Sequence, residues 1–248
     1  EIGMKNRVHF LCVVLAIMCV RAIPCFSQGD GFLHRNGKTF FPIGMYELPK
    51  NDAELERMAQ AGINIIRTHS VQDLDRVHAA GLFGWLPLPV HKGATPHLQD
   101  IILSVKDHPA LALWEGPDEI VWNFTAYSGL EKSAGIKRED WWNQRPHAVH
   151  YSSQQAKTII PNIREGIKMV RELDDHNRQF WINEARSSDP IYVRQYLDFI
   201  DITGCDDYPV RATSPFEAVN RIGGTTHLWN QIGQGKPVYI VLQAFAWT

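Results

Sequence analysis

Three carboxylates, Glu115, Asp118 and Glu119, fall within five residues of one another in the stretch HPALALWEGPDEIVW at residues 108–122, and Trp114 and Trp122 flank them. A carboxyl group held beside indole rings and other acids is pushed toward its neutral form by desolvation and like charge. That is the condition for a general acid working near neutral pH. The apolar run 110–114 reads as a short buried strand, so the acids stand at its C-terminal end. An acidic turn or a helix cap uses the same residue types, and the reading therefore depends on what the other strands carry at their ends.

Six further apolar runs, 40–46, 63–68, 82–90, 179–182, 202–205 and 238–242, read as strands, and helical patterns separate them. Asn51 or Asp52 caps the first helix, with Leu55, Met58 and Ala59 on one face. Ser70 and Asp73 form a capping-box pattern for the second. Ala-Gly-Ile-Asn at 61–64 and Ala-Gly-Leu-Phe at 80–83 repeat one junction from helix stop to strand start. Asn36-Gly37 marks a hairpin turn before the first strand. Residues 123–153, which hold Trp141, Trp142, His147 and His150, form a long insertion expected to act as a lid. A long helix follows, with Ile159, Ile163, Ile167, Val170 and Leu173 on its face and a bend expected near Pro161. Asp189 starts a helix at 190–200, and residues 216–232 are a further helical region.

Strands alternating with helices predict a parallel α/β architecture. A doubly wound sheet needs a glycine-rich phosphate loop after an early strand, and none is present. The pattern fits a (β/α)8 TIM barrel, whose active site is assembled from the C-terminal ends of many strands. Only seven strands are counted, so the expectation is a barrel truncated after the seventh. Opening a barrel exposes two strand edges, and an inactive fragment is one consequence to weigh.

With 248 residues, 44% of them hydrophobic, the chain is long enough for one complete core. Lys5 and Arg7 precede an apolar run at 10–20, and Ser27 offers a cleavage position before Gln28. Residues 1–27 thus read as a secretory signal peptide, leaving 28–248 as the barrel domain of a secreted or periplasmic protein. That removal takes Cys12, Cys19 and Cys25, so Cys205 has no partner for an internal disulfide. It leaves 22 basic against 26 acidic side chains, a net charge of −4. No basic stripe recommends nucleic acid, and no membrane association is expected once the leader is gone.

The strand ends collect Glu47, Arg67, His69, Glu115, Asp118, Glu119, Glu184, Asp206, Asp207 and Tyr208, with Trp114, Trp122 and Trp181 close by. Acids with aromatic platforms suit a polyhydroxylated ligand, because carboxylates bind hydroxyls and indoles cover the apolar faces of sugar rings. Plainer roles exist for several of them: Arg67 as a carboxylate partner, Trp114 and Trp181 as core, His69 as a satisfied polar residue. His69, Glu119, Glu184 and Asp207 are candidate metal ligands, but no HxH or HExxH pair occurs, and no metal or cofactor is expected. Serine chemistry lacks a GxSxG elbow, and Cys205 lies in an apolar strand.

The successive segments FFPIGMYELP, INIIRTH, HPALALWEGPDE, DITGCDDYPV and KPVYIVLQAF resemble the strand signatures of clan A glycoside hydrolases, the retaining (β/α)8-barrel enzymes, over residues 31–247. The resemblance implies that Glu119 is the acid/base residue and that Arg67 is the arginine of the second strand. Two positions depart from it. Asp118 replaces the asparagine that usually precedes the acid/base, and Gln243 stands where the nucleophilic glutamate belongs. A carboxamide forms no glycosyl-enzyme ester. The expectation is a secreted glycoside hydrolase acting on a polysaccharide or oligosaccharide. Glu119 is its acid, Glu184 the first choice of second carboxylate, and Glu115 or Asp207 the next. Glu47, Arg67, His69, Trp114, Glu115, Asp118, Trp122, Trp181, Asp207, Tyr208 and Gln243 are expected to contact the sugar. The alternative is a carbohydrate-binding barrel without catalysis, in which Gln243 keeps hydrogen bonds to sugar, and Gln243→Glu is the change expected to create a nucleophile.

Overall fold

The computed structural model describes residues 30–35, 37–127, 129–210 and 219–245. The expected leader lies outside them. Strands β1 (Leu33–Arg35) and β2 (Lys38–Phe40) pair antiparallel as a hairpin, with Arg35 opposite Lys38. Gly37 takes the φ of +73° that a hairpin turn requires. Strands β3 (Gly44–Met45), β4 (Ile65–Arg67), β5 (Phe83–Pro87), β6 (Leu111–Glu115), β7 (Gln179–Ala185), β8 (Ile202–Asp207) and β9 (Val238–Leu242) form one sheet. They stand in sequence order and every neighbouring pair is parallel. The edges are β3 and β9.

The sheet is curled. Tyr46, just after β3, packs its ring 6.4 Å from that of Trp181 on β7. Four strand spacings of about 4.8 Å would hold those strands about 19 Å apart in a flat sheet. Curling separates the two faces into different cores. Ile65, Trp85, Leu113, Trp181 and Ile202 meet on the concave face, where Leu33 and Phe40 of the hairpin pack with them. Phe40 stacks on Phe83, the first residue of β5, at 4.7 Å, so the hairpin covers the N-terminal end of the strands. Ile66, Trp114, Phe180, Ile182 and Cys205 point the other way, into the layer beneath the helices. This period-two alternation decides which strand-end side chains reach the mouth.

The helices are α1 (Asp52–Gln60), α2 (Val71–Ala79), α3 (Pro96–Val105), α4 (Ile120–Thr125), α5 (Leu130–Ala134), α6 (Arg138–Trp142), α7 (Pro146–Leu173), α8 (Pro190–Val193) and α9 (Arg221–Gly233). Asn51 caps α1 by accepting from the Ala53 N–H, and Ser70 caps α2 by accepting from the Asp73 N–H. No helix among the described residues is long and apolar enough to cross a membrane.

Three expectations are corrected. The insertion at 123–153 is not an open loop: its described residues fold into the end of α4, α5, α6 and the first turns of α7, which has Pro146 in its first turn. Trp141 is buried, its ring 6.4 Å from that of Tyr192, whereas Trp142 stays exposed 5.7 Å from Trp122. The helix expected at 190–200 breaks after one turn and resumes as a 3-10 turn at Leu197–Phe199. The last helix begins at Arg221, and residues 211–218 of the expected region lie outside the described residues.

Candidate functional site

The turn between β6 and α4 is set by its neighbours on β7. Gly116 donates its N–H to the Trp181 carbonyl at 2.8 Å, and a Cβ there would stand 2.5 Å from Ile182 Cγ1, so only glycine lets the chain cross so closely. The chain bulges outward at Pro117 and Asp118 and returns at Glu119, whose N–H donates to the Asn183 carbonyl at 2.9 Å. Glu119 is left-handed, at φ 48° and ψ 42°. For a non-glycine residue this costs on the order of 1–3 kcal/mol and persists only where the surroundings over-determine it. Here the Asn183 carbonyl holds the Glu119 N–H, and the Asn183 amide donates from Nδ2 to Asp118 Oδ1 at 2.9 Å.

The Glu119 side chain meets Asp206, which reaches up from the concave face of β8, and the two carboxyl groups share a hydrogen bond. Burial is the largest cause pushing Glu119 up to about 8, followed by the contact with Asp206 and the charges of Asp206, Asp118 and Glu184. Burial also raises Asp206, while the hydrogen bonds from Glu119 and Tyr208 oppose it. Both carboxyls are thus raised by burial and by each other, so the pair as a unit holds a proton more tightly than an ordinary carboxylate does. Tyr208 is held above the usual phenol range by burial and by the Asp206 charge. Its ring packs against Phe245 at 5.0 Å.

Below this rim the mouth is floored by a second carboxylate system. Glu115 is fully buried and accepts from Tyr46 Oη at 3.0 Å and from Trp85 Nε1 at 3.1 Å. Arg67 Nε lies 2.7 Å from its Oε2. Burial pushes Glu115 up to about 7, and the Arg67 charge is the main force holding it down. The Arg67 guanidinium also lies over the Tyr46 ring, 4.9 Å from its centroid. Trp181 packs beside this group with its Nε1 buried and without a hydrogen-bond partner among the described residues, and Asn183 Oδ1 is in the same condition.

Glu119, Asp118, Glu115, Arg67, Trp181 and Tyr208 thus gather at the C-terminal mouth of the curled sheet. Glu184 does not face it. Its carboxylate lies on the helix side of β7, fully buried, and accepts from Val121 N–H at 3.1 Å, Ser188 Oγ at 2.6 Å, Tyr196 Oη at 2.8 Å and the Trp122 N–H. It fastens the start of α4 and leaves Asp206 as the acid that meets Glu119. Asp207 also lies on the helix side, where it accepts from Thr225 Oγ1 at 2.6 Å and pairs with Arg221. Trp114 is buried under the helices and donates to Asp174 at 2.7 Å. Glu47 and His69 are exposed, and Trp122 lies half-buried between Trp142 and Arg138. Gln243 is committed to main chain: its Oε1 accepts from the Val210 N–H, and its Nε2 donates to the Val210 and Phe245 carbonyls, each at 2.9 Å.

Asp206 and Asn183 are the two site residues that the choice of acids passed over. Both were readable at strand ends, and alternation along the strand is the signal that finds them. Trp181 and Ile202 are concave-face residues, so Asn183 and Asp206 share that face and Glu184 and Asp207 cannot.

No family model and no curated protein matches the chain. Among solved structures it is similar to a β-galactosidase from the psychrophilic Marinomonas ef1, with 14% identity and a TM-score of 0.48 over 82% of this chain and 48% of that one. It is also similar to Ruminococcus gnavus β-glucuronidase, with 14% identity and a TM-score of 0.44 over 77% of this chain and 31% of that one. A third, BpGH50, gives 9% identity and a TM-score of 0.45 over 76% of this chain and 52% of that one. The chain spans between about a third and about half of the length of these proteins.

Proposed function

We propose that this chain belongs to a glycoside hydrolase of the barrel type, with Glu119 as the general acid and Asp206 as its carboxylate partner. The observation that carries the reading is the Glu119–Asp206 carboxyl pair at the strand-end mouth, both members of which burial raises above the usual carboxylate range. An acid with a value of about 8 is still protonated at working pH and delivers its proton to a leaving oxygen. The remaining groups suit a sugar. Asn183 Oδ1 accepts from a hydroxyl, Trp181 Nε1 and Arg67 donate to one, and Tyr46 and Tyr208 offer ring faces.

Two carboxyls in hydrogen-bond contact are closer than the about 5–5.5 Å of retaining pairs or the about 6.5–9.5 Å of inverting ones. Binding must therefore part them, with the glycosidic oxygen taking the place of Asp206 beside Glu119. Asp206, freed and ionised, then stands at the rim to take a proton from water. Secretion is part of the proposal and rests on the leader-like residues 1–27 alone.

Gln243 favours a second reading, a barrel that binds carbohydrate without cleaving it, because its amide is spent on Val210 and Phe245. Reducing-end release from a panel of oligosaccharides separates the two. Release by the parent that is lost in Asp206→Asn supports hydrolysis through the pair. Unchanged release in Asp206→Asn removes Asp206 from the chemistry, and sugar binding by calorimetry without release supports the second reading.

A further inference from the structure

The residue that ties the acid turn to the sheet is Asn183, for which the resemblance implies no role. It contacts the turn at two points: its carbonyl receives the Glu119 N–H at 2.9 Å, and its side-chain Nδ2 donates to Asp118 Oδ1 at 2.9 Å. Asn183 itself is buried at 2% exposure, whereas Asp118 is exposed and, without that amide, is free to turn its carboxylate into solvent. The second anchor of the turn, the Asn123 amide, reaches only the Asp118 carbonyl, so it holds the backbone and not the charge.

We propose that Asn183 is a positioning residue that pins the Asp118 carboxylate against the acid site, so that a fixed negative charge beside Glu119 keeps the Glu119 proton in place. The inference rests on the reading of Glu119 as the acid, but its effect is electrostatic and is measurable without turnover. The groups facing Glu119 are Asp118 in its own turn and Asp206 and Tyr208 from β8, while Glu184, on the helix side of β7, acts on it through charge alone. Of these, Asp118 is the one whose side chain Asn183 holds. A carboxylate held close to a second acid raises that acid's proton affinity, and one free to turn away into solvent is more distant and more strongly screened.

The test is a thermodynamic cycle read on the Glu119 carboxyl carbon in protein labelled with 13C-glutamate, titrated from pH 4 to 10. The resonance is assigned by its loss in Glu119→Gln. Asn183→Ala is expected to lower the Glu119 midpoint by about one pH unit, and Asp118→Asn by a similar amount. In the double variant, Asn183→Ala should add little to Asp118→Asn, because the charge it acts through is gone. A shift of the same size in both backgrounds would show that Asn183 acts by packing or hydration and would overturn the proposal. So would an unchanged midpoint in Asp118→Asn, which keeps the test decisive even where Asn183→Ala does not fold. Failure of the chain to cleave any glycoside would refute the hydrolase reading and leave this titration result standing.

Discussion

Replacing the acid by its amide should make the protein more stable at pH 8, not less. Glu119 has an ordinary value of 4.5 and is raised to about 8 in the fold. The sign follows from proton counting: between those values the folded chain holds a proton there that the unfolded chain has released, so stability falls as pH rises through the window. A shift of about 3.5 units at 1.36 kcal/mol each sets an upper bound of about 5 kcal/mol by pH 8. Glu119 is partly exposed and its proton is shared with Asp206, so solvent screening reduces this to about 1–2 kcal/mol. Glu119→Gln keeps a donor for Asp206 and has nothing to ionise. Its melting temperature should match the parent at pH 5 and exceed it by about 2–8 °C at pH 8, taking about 2–4 °C per kcal/mol for a domain of this size. Circular dichroism melts of both proteins from pH 5 to 9 measure the difference. Parallel curves, or a variant less stable at pH 8, would refute the assignment of a destabilised, proton-holding acid at this position.

Two further outcomes separate architecture from chemistry. Glu184→Ala leaves four buried donors without their acceptor and should cost about 3–5 kcal/mol in urea unfolding, as breaking a buried charged cluster does; loss of activity without loss of stability would return Glu184 to the chemistry. The parent should form no covalent adduct with a fluorinated sugar trap in mass spectrometry, and Gln243→Glu should not gain one, because a carboxylate there faces the Val210 and Phe245 carbonyls that the amide now holds. Labelling of either protein would contradict the role given to the Gln243 amide.

The order and direction of the strands were legible because each buried strand is a short apolar run, and because the Ala-Gly junction that stops a helix at Gly62 and at Gly81 opens a strand both times. The acid turn was legible from the density of carboxylates alone. Which strand-end acids of β7 and β8 face the mouth was not legible from residue type. Glu184 and Asp207 are the stronger acids to the eye, but one residue of offset along a strand moves a side chain to the opposite face of the sheet. Of the neighbours Asn183 and Glu184, Asn183 is the one facing the mouth. The insertion was read as a lid because its tryptophans suggested a ligand surface, whereas Trp141 is consumed in packing against Tyr192 and only Trp142 remains exposed. The Gln243 substitution was visible, but its commitment to the Val210 main chain depends on a loop contact across 33 residues that no local pattern announces.

The central claim is that Glu119 delivers a proton to the leaving oxygen, and leaving-group dependence of the Glu119→Gln variant tests it most directly. On an oligosaccharide that the parent cleaves, whose leaving group is a poor one, turnover should fall by roughly 10²–10⁴-fold with binding nearly unchanged. On a dinitrophenyl glycoside of the same sugar, which departs without protonation, the loss should be far smaller. An equal loss on both substrates, or no loss on the oligosaccharide, would contradict the account.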